Sequence, residues 1–329
     1  MKKISFGSRE VSLFFILIFT IGLTSFINPR FVTGSGTKDL FNATAVVAIM
    51  AVGITPVVIM KHIDLSIAST VGFSAWMIAD LSKKHEGFTT WHAFIVGPLI
   101  GVAVGALNGI LIAGLRLPAL VVTLGTLYIV RGLDYVVSNS VDYNAQDLPK
   151  SMVTLGEKTY FGLLPFPFLL VIIFMIVAGL YMRYRKPGRD RYAIGSNGHA
   201  AELVGIKVFQ RTFLAFVFSG ATAGLAGVFY LMRFAQVDAT AFYGQELGVV
   251  AAVVIGGISI NGGIGTPYGA VIGALLVQSI QGGLSALGVD AFWKQAINGT
   301  LLIIALIADR VLARRAEQAL LAQRIKERA

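Results

Sequence analysis

Apolar segments of helix length recur along this chain, and about twenty apolar residues are what one helix needs to cross a bilayer. They fall at 11–28, 39–60, 64–82, 92–114, 117–137, 164–183, 211–232, 245–259, 266–284 and 294–309. A water-soluble core of 329 residues could not hide them all. Composition agrees: 13% of the residues are charged, against ~25% in soluble domains. The expected fold is an all-α polytopic membrane protein. The expectation is a single transmembrane domain over 1–329 with about ten transmembrane helices.

The first apolar run follows Lys2, Lys3 and Arg9 in the manner of a signal peptide. No small-x-small cleavage site follows, and the run ends in Phe26-Ile27-Asn28-Pro29-Arg30, so it reads as a retained span. Charge then sets the orientation. With the N-terminus inside, the inner segments 1–10, 183–211 and the tail after Asp309 hold sixteen of the 27 Lys and Arg. The outer loops carry Arg30, Lys38, Lys83, Lys84, Lys150, Lys158, Arg233 and Lys294, offset by at least as many acids. The positive-inside rule places both termini in the cytoplasm and calls for an even number of spans. The net charge of +10 is explained by those inner segments, and no basic–aromatic surface pattern points to nucleic acid.

Zero cysteines exclude disulfides and thiolate metal sites and leave the redox compartment open. His62, His85, His92 and His199 are scattered, so no metal site is expected, and no catalytic residues either. No Gly-x-x-x-x-Gly-Lys-[Ser/Thr] loop is present, so ATP-driven work needs an ATPase on another chain.

Two segments make poor simple spans. Lys61-His62-Ile63-Asp64, near 60–66, leaves almost no loop between two apolar runs, and the 256–267 stretch is rich in glycine. Non-helical backbone at membrane depth survives only under protein or beside a water-filled cavity, and broken helices mark transport routes. An ordinary interfacial turn is the alternative. A repeat is also visible. Gly97-Pro98-x-x-Gly101-x-x-x-Gly105-Ala106-Leu107 returns 168 residues later as Gly265-x-Pro267-x-Gly269-x-x-x-Gly273-Ala274-Leu275. Glycines four apart let helix backbones approach closely. The copies sit on the fourth and ninth spans, an odd separation that makes two inverted repeats, about 1–160 and 161–310. Convergent packing glycines are the alternative.

Ionisable groups inside a span cost roughly 2.5–3.5 kcal/mol each. Arg131 and Asp134 are the clear pair, spaced to meet on one helix face. They can serve as a structural pin or lie near the substrate path. A self-neutralised pair is a poor proton carrier, which argues against a stand-alone secondary transporter. Asp64 reads as an N-cap of the next helix, with Ser66 beside it. Asn108, Gln278, Gln281 and Asn298 could bond either a hydroxyl-rich solute or neighbouring helices.

The basic loop 183–211 carries seven Lys and Arg against Asp190 and Glu202. Ser196 or Asn197 can cap a helix there, Ala200, Ala201, Glu202 and Leu203 favour it, and Gly205 can stop it. Two turns are unstable alone in water, so the membrane domain or a docked protein must hold them. The tail 310–329 reads as a basic amphipathic helix on the membrane surface.

Several motifs in order resemble one family. They are Ile63-Asp64-Leu65-Ser66, Thr123-Leu124-Gly125-Thr126 with Arg131-Gly132, and Gly195-x-Asn197-x-x-Ala200-Ala201-x-x-x-Gly205-Ile206. Ser219-Gly220-x-x-Ala223-Gly224-x-Ala226-Gly227 and Gly256-Gly257-x-Ser259-x-x-Gly262-Gly263-x-Gly265 complete the set. Together they resemble the permease subunits of bacterial ABC importers for monosaccharides. That resemblance implies a multi-pass inner-membrane subunit that pairs with a second permease chain, an ATPase subunit and a secreted sugar-binding protein. ATP and Mg would sit on the ATPase and no cofactor on this chain. Asn197, Ala200, Ala201, Glu202, Gly205 and Ile206 would form the helix that couples to the ATPase. The substrate path or its gate would draw on Asp64, Ser66, Asn108, Thr123, Thr126, Arg131, Gln278 and Asn298. The binding protein would meet the 138–163 and 233–246 loops. Lys61-His62 stand where the family usually has Gly-Gly, which bears on the local turn, the solute or the partner. A nucleoside, a branched-chain amino acid or a signalling furanose are alternative solutes on the same scaffold.

Overall fold

The computed structural model describes residues 8–290, 293, 295–307 and 310–311, with side chains from Leu13 on. Most of the tail read over 310–329 therefore lies outside the described residues. The helices are α1 (Ser8–Ile27), α2 (Gly34–Ile59), α3 (Ile67–Lys84), α4 (Thr90–Gly109), α5 (Ala119–Ser138), α6 (Lys150–Glu157), α7 (Phe166–Tyr184), α8 (Lys186–Ser196), α9 (Gly198–Leu203), α10 (Val208–Phe234), α11 (Glu246–Ile255) and α12 (Pro267–Ala286). A π-helical turn carries α4 on to Gly114, and an apolar helix Gln295–Ile307 follows α12. A two-stranded hairpin, β1 (Thr159–Tyr160) with β2 (Leu164–Pro165), precedes α7.

Among the described residues, six helices are long and apolar enough to cross a membrane: α2, α4 with its extension, α5, α7, α10 and α12. Leu13–Ile27 within α1, α11 and Gln295–Ile307 are shorter apolar helices. The chain is a mostly helical, multi-pass membrane protein. The 245–259 segment is cut short, because α11 stops at Ile255 before Gly256-Gly257.

α2 is the central strut. Every residue from Asn42 to Ile59 is buried, as a helix apolar on all sides must be. Two of its buried hydroxyls are satisfied within the helix: Thr44 and Thr55 donate to the Leu40 and Ala51 carbonyls at 2.7 and 2.6 Å. α7, α10, α11 and α12 pack around it.

Glycines set the closest helix crossings. A Cβ on Gly97, Gly101 or Gly105 of α4 would overlap the carbonyls of Gly224, Gly220 and Phe216 on α10. On α12, Gly269 and Gly273 meet the Gly256 and Ala252 carbonyls at the end of α11 in the same way, while Gly265 abuts Ile258. Both glycine series let backbones touch, each against a different helix.

Two helices go beyond the sequence reading. α8 occupies a stretch with an unhelical composition, Lys-Pro-Gly-Arg-Asp-Arg. Tertiary contact makes up the deficit: Gly188 fits against the Tyr181 carbonyl and Met182, and the Arg211 Nη2–Asp190 Oδ2 pair closes at 2.8 Å. α6 is held because Gly156 fits against the Met232 backbone of α10. At the far end of the bundle, Lys83 pairs with Asp147 at 2.6 Å and Lys84 with Asp80 at 2.9 Å.

Candidate functional site

Three places gather the polar chemistry: the break between α2 and α3, the α8–α9 unit beneath it, and a cavity at the opposite end.

At the break, Asp64 is buried with both carboxylate oxygens engaged. Oδ1 accepts from the Ser66 amide at 3.1 Å and the Ser66 hydroxyl at 2.6 Å. Oδ2 accepts from Ser219 Oγ of α10 at 2.7 Å. Asn108 of α4 donates to Ser66 Oγ at 2.8 Å, and Thr126 of α5 donates to Asn108 Oδ1 at 2.6 Å. Thr123 donates to the Ile63 carbonyl at 3.2 Å. Asp64, Ser66, Asn108, Thr123 and Thr126 thus meet in one place, and Ser219 joins them. Asp64 is not the N-cap of α3: Ser66 holds that position, and the carboxylate turns instead to α10. The cluster is buried and fully bonded, which makes it a joint between four elements rather than an open channel wall.

The α8–α9 unit is fastened to this break. Gly195 lies against the Ile59 carbonyl and the Gly263 amide, and Gly263 N donates to Ile59 O at 2.8 Å. Lys61, at φ 67°, donates from Nζ to the Ser196 carbonyl at the end of α8 at 3.3 Å. Tyr192 donates from its hydroxyl to Gly265 O at 2.9 Å. Burial pushes the Tyr192 phenol up to about 12, so the hydroxyl stays a donor at physiological pH. One unit therefore grips both interruptions, 60–66 and 256–267.

α9 itself is short and capped. Asn197 Oδ1 accepts from the Ala200 amide at 3.0 Å, and Gly205, at φ 81°, turns the chain out of the helix. Ala201 is buried among Val57, Met60, Ile194 and Phe216, with Ile206 packed beside them. Ala200 and Glu202 face outward, and Glu202 lies 3.5 Å from Arg116. Leu203 and Val204 are 75% and 77% exposed. The outer side of α9 thus presents Leu203 and Val204 beside the Glu202 carboxylate, while its inner side is locked to the bundle.

At the opposite end, a cavity of about 570 Å³ lies between the starts of α2, the ends of α10 and α12, and the segment after α10. Gln278 and Gln281 line it, and Asn298 stands behind, accepting from Gln281 Nε2 at 2.8 Å. Arg131 is not in the wall. Its Nη1 donates to the Ala241 and Ala239 carbonyls at 2.9 and 3.3 Å and lies 3.7 Å from Asp134. The Tyr243 ring stacks 5.6 Å from its guanidinium and faces the cavity. The pair thus pins the loop that closes the cavity. Sequence reasoning did not select Asp39, Tyr230, Tyr243 and Gln245 as site residues, although all line the same space. The readable signal was the density of aromatic and polar residues from Tyr230 to Gln245 directly after a long span.

Residues 36–306 match the family described as branched-chain amino acid transport system / permease component. The chain belongs to this permease family. An L-arabinose ABC transporter permease protein of Azospirillum brasilense is 33% identical over 307 residues, 92% of this chain and 87% of that one. An autoinducer 2 import system permease protein of Enterobacter sp. (strain 638) is 32% identical over 92% of this chain and 87% of its own. The L-arabinose transport system permease protein of Escherichia coli (strain K12) is 33% identical over 86% of this chain and 84% of its own. No solved structure matches. The motif resemblance to ABC importer permeases is borne out by these relatives.

Proposed function

We propose that this permease is the membrane subunit of an ATP-driven importer that passes a monosaccharide through the bilayer unchanged. The relatives' names point to the solute class, two of them to L-arabinose. The observation that carries the mechanism is the seam from α9 through α8 to both interrupted segments. In this reading α9 sits in a cleft of a separate ATPase, which binds ATP and Mg. Its push travels through Gly195, Lys61 and Tyr192 to the two breaks and so to the Asp64 joint. Ten crossings in two inverted halves, with both termini cytoplasmic, put α9 on the inner face and the 138–163 and 233–246 loops outside. A secreted binding protein delivers the sugar there, and a second permease chain, identical or not, completes the pathway. The protein resides in a bacterial cytoplasmic membrane.

A second solute class is favoured by one observation, the family's description as a branched-chain amino acid system. Uptake by the complete transporter in liposomes separates the two. L-arabinose uptake that depends on ATP and the binding protein is expected. Leucine uptake without sugar uptake would replace this reading. Filling the Ala201 site with Trp, or placing Val at Gly205, should leave ATP hydrolysis running while uptake falls at least about tenfold. Normal uptake by both variants would remove α9 from the mechanism.

A further inference from the structure

The cavity opposite α9 has a lining that the helix packing does not explain. Gln278 is only 8% exposed, and among the described residues its side-chain amide has no hydrogen-bond partner, yet it lines the cavity. Tyr230, Tyr243 and Gln245 also line it, and among the described residues their side chains form no hydrogen bond. Gln278 is buried, Tyr230 and Gln245 are half-buried and Tyr243 is exposed, so their polar groups open onto the cavity and are free to bond whatever occupies it.

We infer that this cavity is a binding site for a neutral, hydroxyl-rich ring, the solute class of the import reading on which this inference rests. Asp39 and Arg233 both line it and interact electrostatically. One acid against one base leaves no net charge for an ionic ligand to balance. The amides and phenols offer both donors and acceptors, as vicinal hydroxyls require. The rings of Tyr230, Phe242 and Tyr243 supply flat apolar faces for the C–H side of a sugar. The volume of about 570 Å³ falls within the ~300–1,000 Å³ usual for small-molecule sites. An amino acid could set its ammonium against Asp39 and its carboxylate against Arg233, but an aliphatic side chain would leave the Gln278 amide and the phenols without partners, which a site lined by such groups disfavours. The cavity lies toward the start of α2 while α9 packs at its end, about twenty residues or ~30 Å away. Solute binding and force input are therefore separated along one helix.

The absence of cysteine gives a direct test. Gln278→Cys, in the complete transporter in liposomes, carries a single permease thiol. A membrane-impermeant methanethiosulfonate reagent added from the binding-protein side should modify it. L-arabinose at roughly ten times a millimolar Kd should slow that reaction about tenfold, and L-leucine should not. Gln245→Cys is the second position, for use if Gln278→Cys does not assemble. No modification at either position, or no protection by L-arabinose, D-ribose or D-galactose, would overturn the site. Equal protection by leucine would overturn its chemical class. ATP-driven sugar uptake measured on wild type separates this idea from the import reading. Uptake without protection removes the cavity site alone, and protection without ATP-driven uptake removes the importer alone.

Discussion

At the scale of single residues, Asp64 bears the heaviest polar demand. Three donors converge on its carboxylate in a buried joint. Asp64→Ala leaves all three without an acceptor, at about 1–3 kcal/mol each before relaxation. Thermal unfolding in detergent should show a large fall in midpoint. Asp64→Asn should fall less, because its oxygen keeps the Ser66 bonds and the Ser219 hydroxyl can rotate to accept from the amide. Midpoints unchanged from wild type in both variants would mean that the joint contributes little. Lys61 poses the opposite balance. A left-handed conformation costs a side-chain-bearing residue roughly 1–2 kcal/mol, while one exposed ammonium at a helix C-terminus contributes ~0.3–1 kcal/mol. Lys61→Gly should therefore leave stability unchanged or raise it, yet loosen the tie to α8. The ATP consumed per sugar imported should rise, and Lys61→Arg should restore it. An unchanged ratio in Lys61→Gly would show that the Gly195 and Gly263 contacts suffice.

At the scale of elements, the α4–α10 crossing and the α5 surface make a matched test. Gly101 touches the Gly220 backbone, whereas a Cβ on Gly125 of α5 meets nothing. Gly101→Leu should prevent the crossing and abolish accumulation of folded protein in the membrane. Gly125→Ala should stabilise the purified chain by ~0.5–1 kcal/mol, because glycine in a helix interior costs that much. α9 is the more delicate element. Asn197→Ala removes the bond to Ala200 and should cost about 1 kcal/mol, seen as faster amide exchange over 198–203 with α10 unaffected. Exchange that stays slow would mean that burial of Ala201 alone holds α9. The helix start at Asn197 and the stop at Gly205 were legible because caps and left-handed stops are chosen by the residue itself. α8 was not legible. Its Pro187-Gly188 and three basic residues read as loop, and the fit of Gly188 and Gly195 against other backbones, with the Arg211–Asp190 pair, makes a helix of it.

At the scale of the whole molecule, the proposed orientation yields a simple prediction. A cysteine at Phe161, on the exposed tip between β1 and β2, should react with an impermeant thiol reagent on intact cells once the outer envelope is open. A cysteine at His199 on α9 should react only after the inner membrane is permeabilised. The reverse pattern would invert the topology and with it the assignment of both faces.

The chain's membrane class, its apolar segments and the placement of α9 between two of them were determined by the sequence alone. Hydropathy, net charge of a loop and helix capping are sums over neighbouring residues, so they need no fold to be read. The tertiary structure alone decided what those segments meet. Asp64 finds Ser219 155 positions away, and Lys61 finds Ser196 135 positions away. Both partners were visible as residue types, but nothing local distinguishes a serine that bonds an aspartate from one that bonds its own helix. The cavity is the clearest case. Gln278 looked like any polar residue in a span, and only the shared space with Asp39, Tyr230 and Tyr243 shows that its amide is left open.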